Sequence, residues 1–433
     1  MIKYRPCIVE ETLCNMFSPE WLRKTAEETE LVKRERKIDP VIMFWVLTLS
    51  FGVRLQRNLA SLKRSYEREG NTTISYSSWY ERFSPELVTF LHACVIHGIE
   101  HLAQEPSRKL KDKLEAFEDL LIKDSTVIRL HETLADKYPA TRTRKIAAGI
   151  KVSLLVSAVT NGPKHVALYS ERTGEVKTLK LGTWVKDRIL LLDLGYFKYH
   201  LFVRIVENGG SFVSRLKSNA NPLIVGVNQQ WRGNSVDVVG KRLKDVLPKQ
   251  KRGVLDVEVE IEFKRRKYRG KSRKDTKRFR LVAVLNKEEK KYHVYLTDIS
   301  LDVLNAEDIA KLYGARWDVE LIFKELKSKY ALDVVDTKSP QIIEAYIWIA
   351  ILTLLVSRRI YNLVREQNPE RDIVRFTQLR WSNTFSETAN DQLTTILEYC
   401  GIKRTFETVL EVYDSQALDP HVNRDRFMDY WRA

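Results

Sequence analysis

The chain has 433 residues, 44% of them hydrophobic, with 73 Lys and Arg against 57 Asp and Glu and a formal net charge of +16. That apolar content excludes global disorder, and the length suits two or three domains. The positive charge points to a polyanionic partner, because Lys and Arg gain affinity by displacing counterions from phosphates. Neither a basic amphipathic helix nor a lipidation motif argues for a membrane surface instead.

The amino terminus, MIKYRPCIVEETL, lacks the apolar core of a signal peptide. The four cysteines, Cys7, Cys14, Cys94 and Cys400, form no CxxC pair and stand too far apart in sequence to suggest a metal knuckle or a disulfide framework. They read as reduced thiols of a cytoplasmic protein, one that joins the nucleoid when bound to DNA.

From Pro19 to about Leu114 apolar residues recur at three- and four-residue spacing, as in PVIMFWVLTLSFGV, which predicts a helical domain over residues 1–115. Arg54, Arg57, Lys63, Arg64 and Arg68 lie there beside Tyr66, Tyr76 and Tyr80. That cluster reads equally as a DNA-docking surface or as a solvated charged face.

The texture changes near Phe117. Leu120-Leu121-Ile122 predicts a strand ending near Asp124. IKVSLLVSAV reaches the turn Thr160-Asn161-Gly162-Pro163 before extended character resumes at His165, and Asn-Gly between apolar runs signals a hairpin. RILLLDL ends near Asp193, YHLFVRIVENG reads as helix, and SFVSRLK as a further strand. Four strands, a helix and a strand predict a mixed α/β sheet with helices packed on it, over 116–220 and 301–340. Residues 221–300 read as a separate β-rich insertion of antiparallel strands, carrying the basic run KRRKYRGKSRKDTKR suited to a phosphate backbone. A helical region, 341–433, closes the chain and is a candidate dimerisation element. Its apolar stretch AYIWIAILTLLV is too short to cross a bilayer and predicts a buried helix.

Carboxylates at the ends of buried strands are rigidly placed yet reach solvent, which suits a hard divalent cation. Asp124 and Asp193 occupy such places, although a strand-end Asp also serves as an ordinary turn or helix cap. In LYGARWDVELIFKELKSKY, at about 100° per residue, Tyr313, Arg316 and Lys327 fall within roughly 40° of Glu320 on one stripe of a single predicted helix. Physics alone leaves two readings of Glu320 open, a third metal ligand or one half of a surface Arg316–Glu320 pair. Trp317 points off that stripe and reads as packing.

Tyr313, Arg316, Glu320 and Lys327 at these spacings, preceded by IKDST and LLDLGYF, resemble the Y-R-E-K signature and aspartate motifs of the insertion-sequence 4 family of bacterial and archaeal transposases. The resemblance runs from about Phe117 to Tyr330. It implies an RNase H-like catalytic core interrupted by a β insertion, with Asp124, Asp193 and Glu320 as a triad binding two Mg²⁺ or Mn²⁺ ions for DNA cleavage and strand transfer. It also implies phosphate contacts by Tyr313, Arg316 and Lys327 at the transposon end, and pairing of two ends by a dimer on DNA. Arg215 and Lys217 become further candidate DNA contacts. Relatives hold a displaced base against an aromatic side chain, for which Trp231, Tyr268 and Tyr292 are candidates. Two other readings compete, an RNase H-like nuclease without strand transfer and a non-catalytic, transposase-derived DNA-binding protein. The intact triad and end-binding set weigh against both.

Overall fold

The computed structural model describes residues 5–33, 38–54, 57–70, 73–104, 109–141, 147–229, 237–265, 273–369, 377–402 and 410–411. Trp231, Tyr268 and the middle of the basic run lie outside these.

Among the described residues six α-helices precede the sheet: α1 Ile8–Met16, α2 Pro19–Glu28, α3 Pro40–Trp45, α4 Leu59–Glu69, α5 Tyr76–Tyr80 and α6 Pro85–Gln104. Their starts follow capping chemistry. Asp39 accepts from the amides of Val41 and Ile42 ahead of Pro40, and Asn58 accepts from that of Ser61. The run PVIMFWVLTLSF does not continue as one α-helix, because α3 passes into a π-helical turn at Val46–Phe51. The contact with a later helix explains the distortion. A Cβ at Gly52 would lie 2.0 Å from Thr353 Oγ1, and Thr353 donates to the Thr48 carbonyl at 3.0 Å.

The basic cluster of this region is largely committed internally. Arg57 donates to the carbonyls of Gly52, Tyr330 and Tyr346, Lys63 pairs with Glu67 at 2.6 Å, and Arg68 with Glu69 at 2.7 Å. These three side chains bind the protein to itself, so the cluster is not simply a solvated charged face.

Nine strands form one sheet: β1 Asp119–Leu130, β2 Ala148–Ser157, β3 Gly162–Ser170, β4 Arg188–Leu192, β5 Ser211–Arg215, β6 Leu223–Val227, β7 Val254–Lys264, β8 Lys274–Asn286 and β9 Lys291–Thr297. Their order is β3-β2-β1-β4-β5-β9-β8-β7-β6. β1, β2 and β3 pair antiparallel, whereas β1, β4 and β5 run parallel. This is the arrangement of an RNase H-like sheet, with α8 (Tyr199–Glu207) linking β4 to β5 after the four-residue α7 (Glu175–Thr178). The inserted strands do not stand apart as the sequence suggests. β9 pairs with the edge of β5, so insertion and core share one continuous hydrogen-bonded sheet. Three residues of β5, Val213 to Arg215, find backbone partners on β9 this way and the edge is closed.

After the short helix α9 (Leu243–Val246) come α10 (Ala306–Gly314), α11 (Trp317–Lys329), α12 (Pro340–Glu366) and α13 (Gln378–Tyr399). α12 is longer than the apolar stretch predicts, and is long and apolar enough to span a bilayer by length and composition. Its apolar residues are instead mostly buried in the protein, with α6 and α1 against it. At its centre Arg358 is fully buried and pairs with the buried Glu325 of α11, which also accepts from the Tyr330 hydroxyl at 2.8 Å. Cys14 and Cys400, 386 residues apart in sequence, are brought to 3.4 Å between sulfurs where α1 meets the end of α13. Sequence distance concealed that pair.

Candidate active site

The parallel pairing of β1 and β4 sets the first relationship. Lys123 is in register with Leu192, where β4 ends, so Asp193 lies beside Asp124 on the same face; β1 itself does not end near Asp124 as the sequence suggests but runs on to Leu130, paired with β2. Strand spacing of about 4.8 Å then brings two carboxylates into mutual repulsion. Burial, reinforced by Asp193, pushes the Asp124 carboxyl up to about 6, against the opposing pull of the Ser125 amide at 2.8 Å and of Arg316.

α11 packs over β1 through Val319, Ile322 and Leu326, all buried, and carries Glu320 in its first turn. The predicted single helix is in fact two. Successive i to i+3 bonds, Ala315 to Leu312 and Arg316 to Tyr313, tighten the backbone after Gly314, and the axis restarts at Trp317. Tyr313 therefore sits on α10, buried 5.2 Å from the ring of Tyr295, rather than on a stripe continuous with Glu320. Burial raises its hydroxyl to about 12.

Arg316, at the junction, reaches both sides of the site. Its Nη2 donates to Glu320 Oε1 at 2.6 Å and its Nη1 stands 3.9 Å from Asp124 Oδ2. The surface-pair reading of Arg316 and Glu320 is thus realised inside the site itself. Asp193 and Tyr313 also lie within the field of this guanidinium. Arg215, where β5 ends, lies within reach of Tyr313 and Tyr295 electrostatically, and Lys217 places its ammonium 5.7 Å from the Phe197 ring centroid. Lys327 is half-buried two turns along α11 from Glu320. Tyr292 spends its hydroxyl on the carbonyls of Gln250 and Arg252. Trp317 is 62% exposed beside Arg316, which corrects its reading as packing.

The sequence gives no hint of one further group. Glu175, on the single turn of α7, accepts from Ser125 Oγ at 2.7 Å, Tyr196 Oη at 3.0 Å and Lys151 Nζ at 2.7 Å. Burial pushes its carboxyl up, yet those donors outweigh it and hold Glu175 below its usual value. Its charge adds to the pressure on Asp124. No motif surrounds Glu175, and only the packing of α7 on the loop after Asp193 brings it here.

The donor set suits a hard cation. Asp124 within β1 and Asp193 just after β4 lie below Glu320 of α11, and the buried Tyr313 hydroxyl and Arg316 Nε lack hydrogen-bond partners. Among the described residues, however, no three acidic, His or Cys side chains are drawn together tightly enough to hold one ion. Glu320 is held by Arg316 instead.

Residues 115–356, more than half of the chain, match the family described as "Transposase DDE domain". The chain belongs to the DDE transposase family. It is an enzyme that acts on DNA, in a family dependent on divalent metal. Similar proteins include the transposase for insertion sequence element IS1151 of Clostridium perfringens, 21% identical over 386 residues that span 83% of this chain and 80% of that one. The transposase for IS231F of Bacillus thuringiensis subsp. israelensis is 23% identical over 378 residues, 78% of this chain and 76% of the relative. A piggyBac transposase synaptic complex with hairpin DNA covers 98% of this DDE transposase and 89% of its own chain, at 12% identity and a TM-score of 0.49, and adds nothing to the assignment.

Proposed function

We propose that this DDE transposase belongs to the insertion-sequence 4 family, that it binds the terminal repeats of its own element, and that it cleaves and joins DNA with Asp124, Asp193 and Glu320. The side-by-side emergence of Asp124 and Asp193 from parallel strands, beneath the helix carrying Glu320, carries this reading. Two Mg²⁺ or Mn²⁺ ions held by these carboxylates would supply an activated attacking oxygen and stabilise the leaving one. The chain's own residues do the remaining work. Arg316 and Tyr313, with their unpartnered buried polar atoms, accept a phosphate of the transposon end, and a bidentate guanidinium fixes its orientation. Lys327 adds a point charge further along α11, and Arg215 and Lys217 extend the contact at the end of β5. Glu320 leaves Arg316 as that phosphate takes its place. Residues 1–115 add DNA contacts outside the buried cations, and the helices of 341–433 pair two protomers so that two ends are held together.

The test is cleavage of a labelled duplex bearing the element's terminal repeat, in Mg²⁺ or Mn²⁺, by the intact protein and by Glu320→Gln. Cutting and strand joining that vanish in the variant while DNA binding persists support the reading. Cutting without joining favours a nuclease, and binding without metal-dependent cutting by the intact protein overturns the catalytic assignment.

A further inference from the structure

A groove of about 850 Å³ lies on the face of the sheet that carries α8, between α7 and the end of β7. Five exposed cations line it: Lys177, Lys180, Lys198, Arg204 and Lys264. No carboxylate lines it, and among the described residues none of the five makes an ion pair. Their neighbour Arg265 behaves differently, being neutralised by Glu207 and Asp275. An ordinary solvated face intersperses both signs, whereas five unpaired cations around one concavity repel one another until an anion enters. The floor is apolar, with the part-exposed ring of Phe263 beside the buried Leu179 and Leu201.

The position follows from topology. Lys198 comes five residues after Asp193, at the end of the sheet where the carboxylates emerge. α8 then runs back along the sheet, and β7, antiparallel to β8 and hence opposed in direction to β5, ends with Lys264 at the far side. The nine residues of α8 give the groove a length of about 13 Å, room for roughly four stacked nucleotides at about 3.4 Å each.

We infer that this groove binds an unpaired DNA strand leaving the active site. An unpaired strand presents phosphates to a cationic rim and base faces to an apolar floor, which is the pairing found here. A duplex hides its base faces and would leave Phe263 uncovered. The inference rests on the assignment of DNA as substrate but not on the identity of the metal ligands.

The experiment measures fluorescence anisotropy of a labelled 12-nucleotide oligothymidine, and of a random duplex of equal length, with the full-length protein in EDTA. The double variant Lys198→Glu/Arg204→Glu should weaken oligothymidine binding by about thirtyfold and reduce its salt slope by about 1.4, two contacts at roughly 0.7 each. Duplex affinity should change less than about threefold. Phe263→Ser should weaken oligothymidine binding several-fold with the salt slope unchanged, since it removes a base contact and no charge. Unchanged oligothymidine affinity in the double variant, or parallel losses on both probes, overturns the proposal. The outcome is independent of whether Glu320→Gln abolishes cleavage, so the two readings fail separately.

Discussion

Arg316 Nη2 and Glu320 Oε1 lie 2.6 Å apart, and the same guanidinium faces Asp124 at 3.9 Å. A cationic side chain therefore neutralises the carboxylate cluster before DNA or metal is present. Removing it leaves three acids without a counter-charge, so Arg316→Ala should bind Mn²⁺ about tenfold more tightly than wild type in the absence of DNA, while losing affinity for the terminal repeat. Calorimetric titration with Mn²⁺ checks this. Equal or weaker metal binding by the variant would show that Arg316 does not compete.

Asp124 carries a pH signature. Its folded value of about 6 lies above its ordinary 3.8, chiefly through burial, so the ionised carboxylate opposes folding. The penalty is absent below about pH 4, grows as pH rises towards 6 and is complete above it. In EDTA, Asp124→Asn should be more stable than wild type to denaturant unfolding at pH 8, by about 1–3 kcal/mol, and the two should converge near pH 4. A margin independent of pH would contradict the assignment.

The Glu325–Arg358 pair fixes α11 against α12, both side chains being essentially inaccessible. Losing one partner strands a buried charge, so Glu325→Ala or Arg358→Ala should cost about 3–5 kcal/mol, and the double change to Leu and Met considerably less. Denaturant unfolding measures both, and additive losses would argue against a coupled pair.

Arg57 closes the junction between Gly52, Tyr330 and Tyr346, and burial brings its guanidinium down to about 10. Arg57→Ala should therefore lower the melting temperature markedly yet leave the salt dependence of DNA binding unaltered. A reduced salt slope would restore Arg57 to the DNA surface.

Cys14 and Cys400 are close enough to couple under oxidant. Treatment with diamide should yield an internal Cys14–Cys400 crosslink, seen by peptide mass mapping, absent in Cys400→Ser. Failure to form it in the folded protein would mean that α1 and the end of α13 are not apposed as described.

The catalytic neighbourhood was legible wherever it depended on short apolar runs. Leu120-Leu121-Ile122 and Ile189 to Leu192 announce buried strands, and Asp193 does follow the end of one, whereas β1 continues past Asp124 because its partner β2 extends the pairing to Leu130. The parallel register that places them together is a tertiary property and leaves no local trace. Apolar periodicity in LYGARWDVELIFKELKSKY also carries the helix, and its Val319, Phe323 and Leu326 are buried. It could not register the tightened turn after Gly314, because a change in hydrogen-bond spacing over three residues leaves the apolar pattern almost intact. Trp317 was misplaced for the same reason. Glu175 and the Cys14–Cys400 pair escaped because contacts across such sequence distances are made by packing alone.

The joining of β9 to β5 makes the inserted hairpin and the carboxylate-bearing strands one rigid plate. A hinge between them would require breaking a ladder of backbone hydrogen bonds, so neither part can swing towards the other on binding. The described end of β7 at Lys264 and the pair Asp124 and Asp193 then stand at opposite ends of a ruler of set length. The separation of those two points is written into the plate, and a ligand that touched both would have to adapt to it.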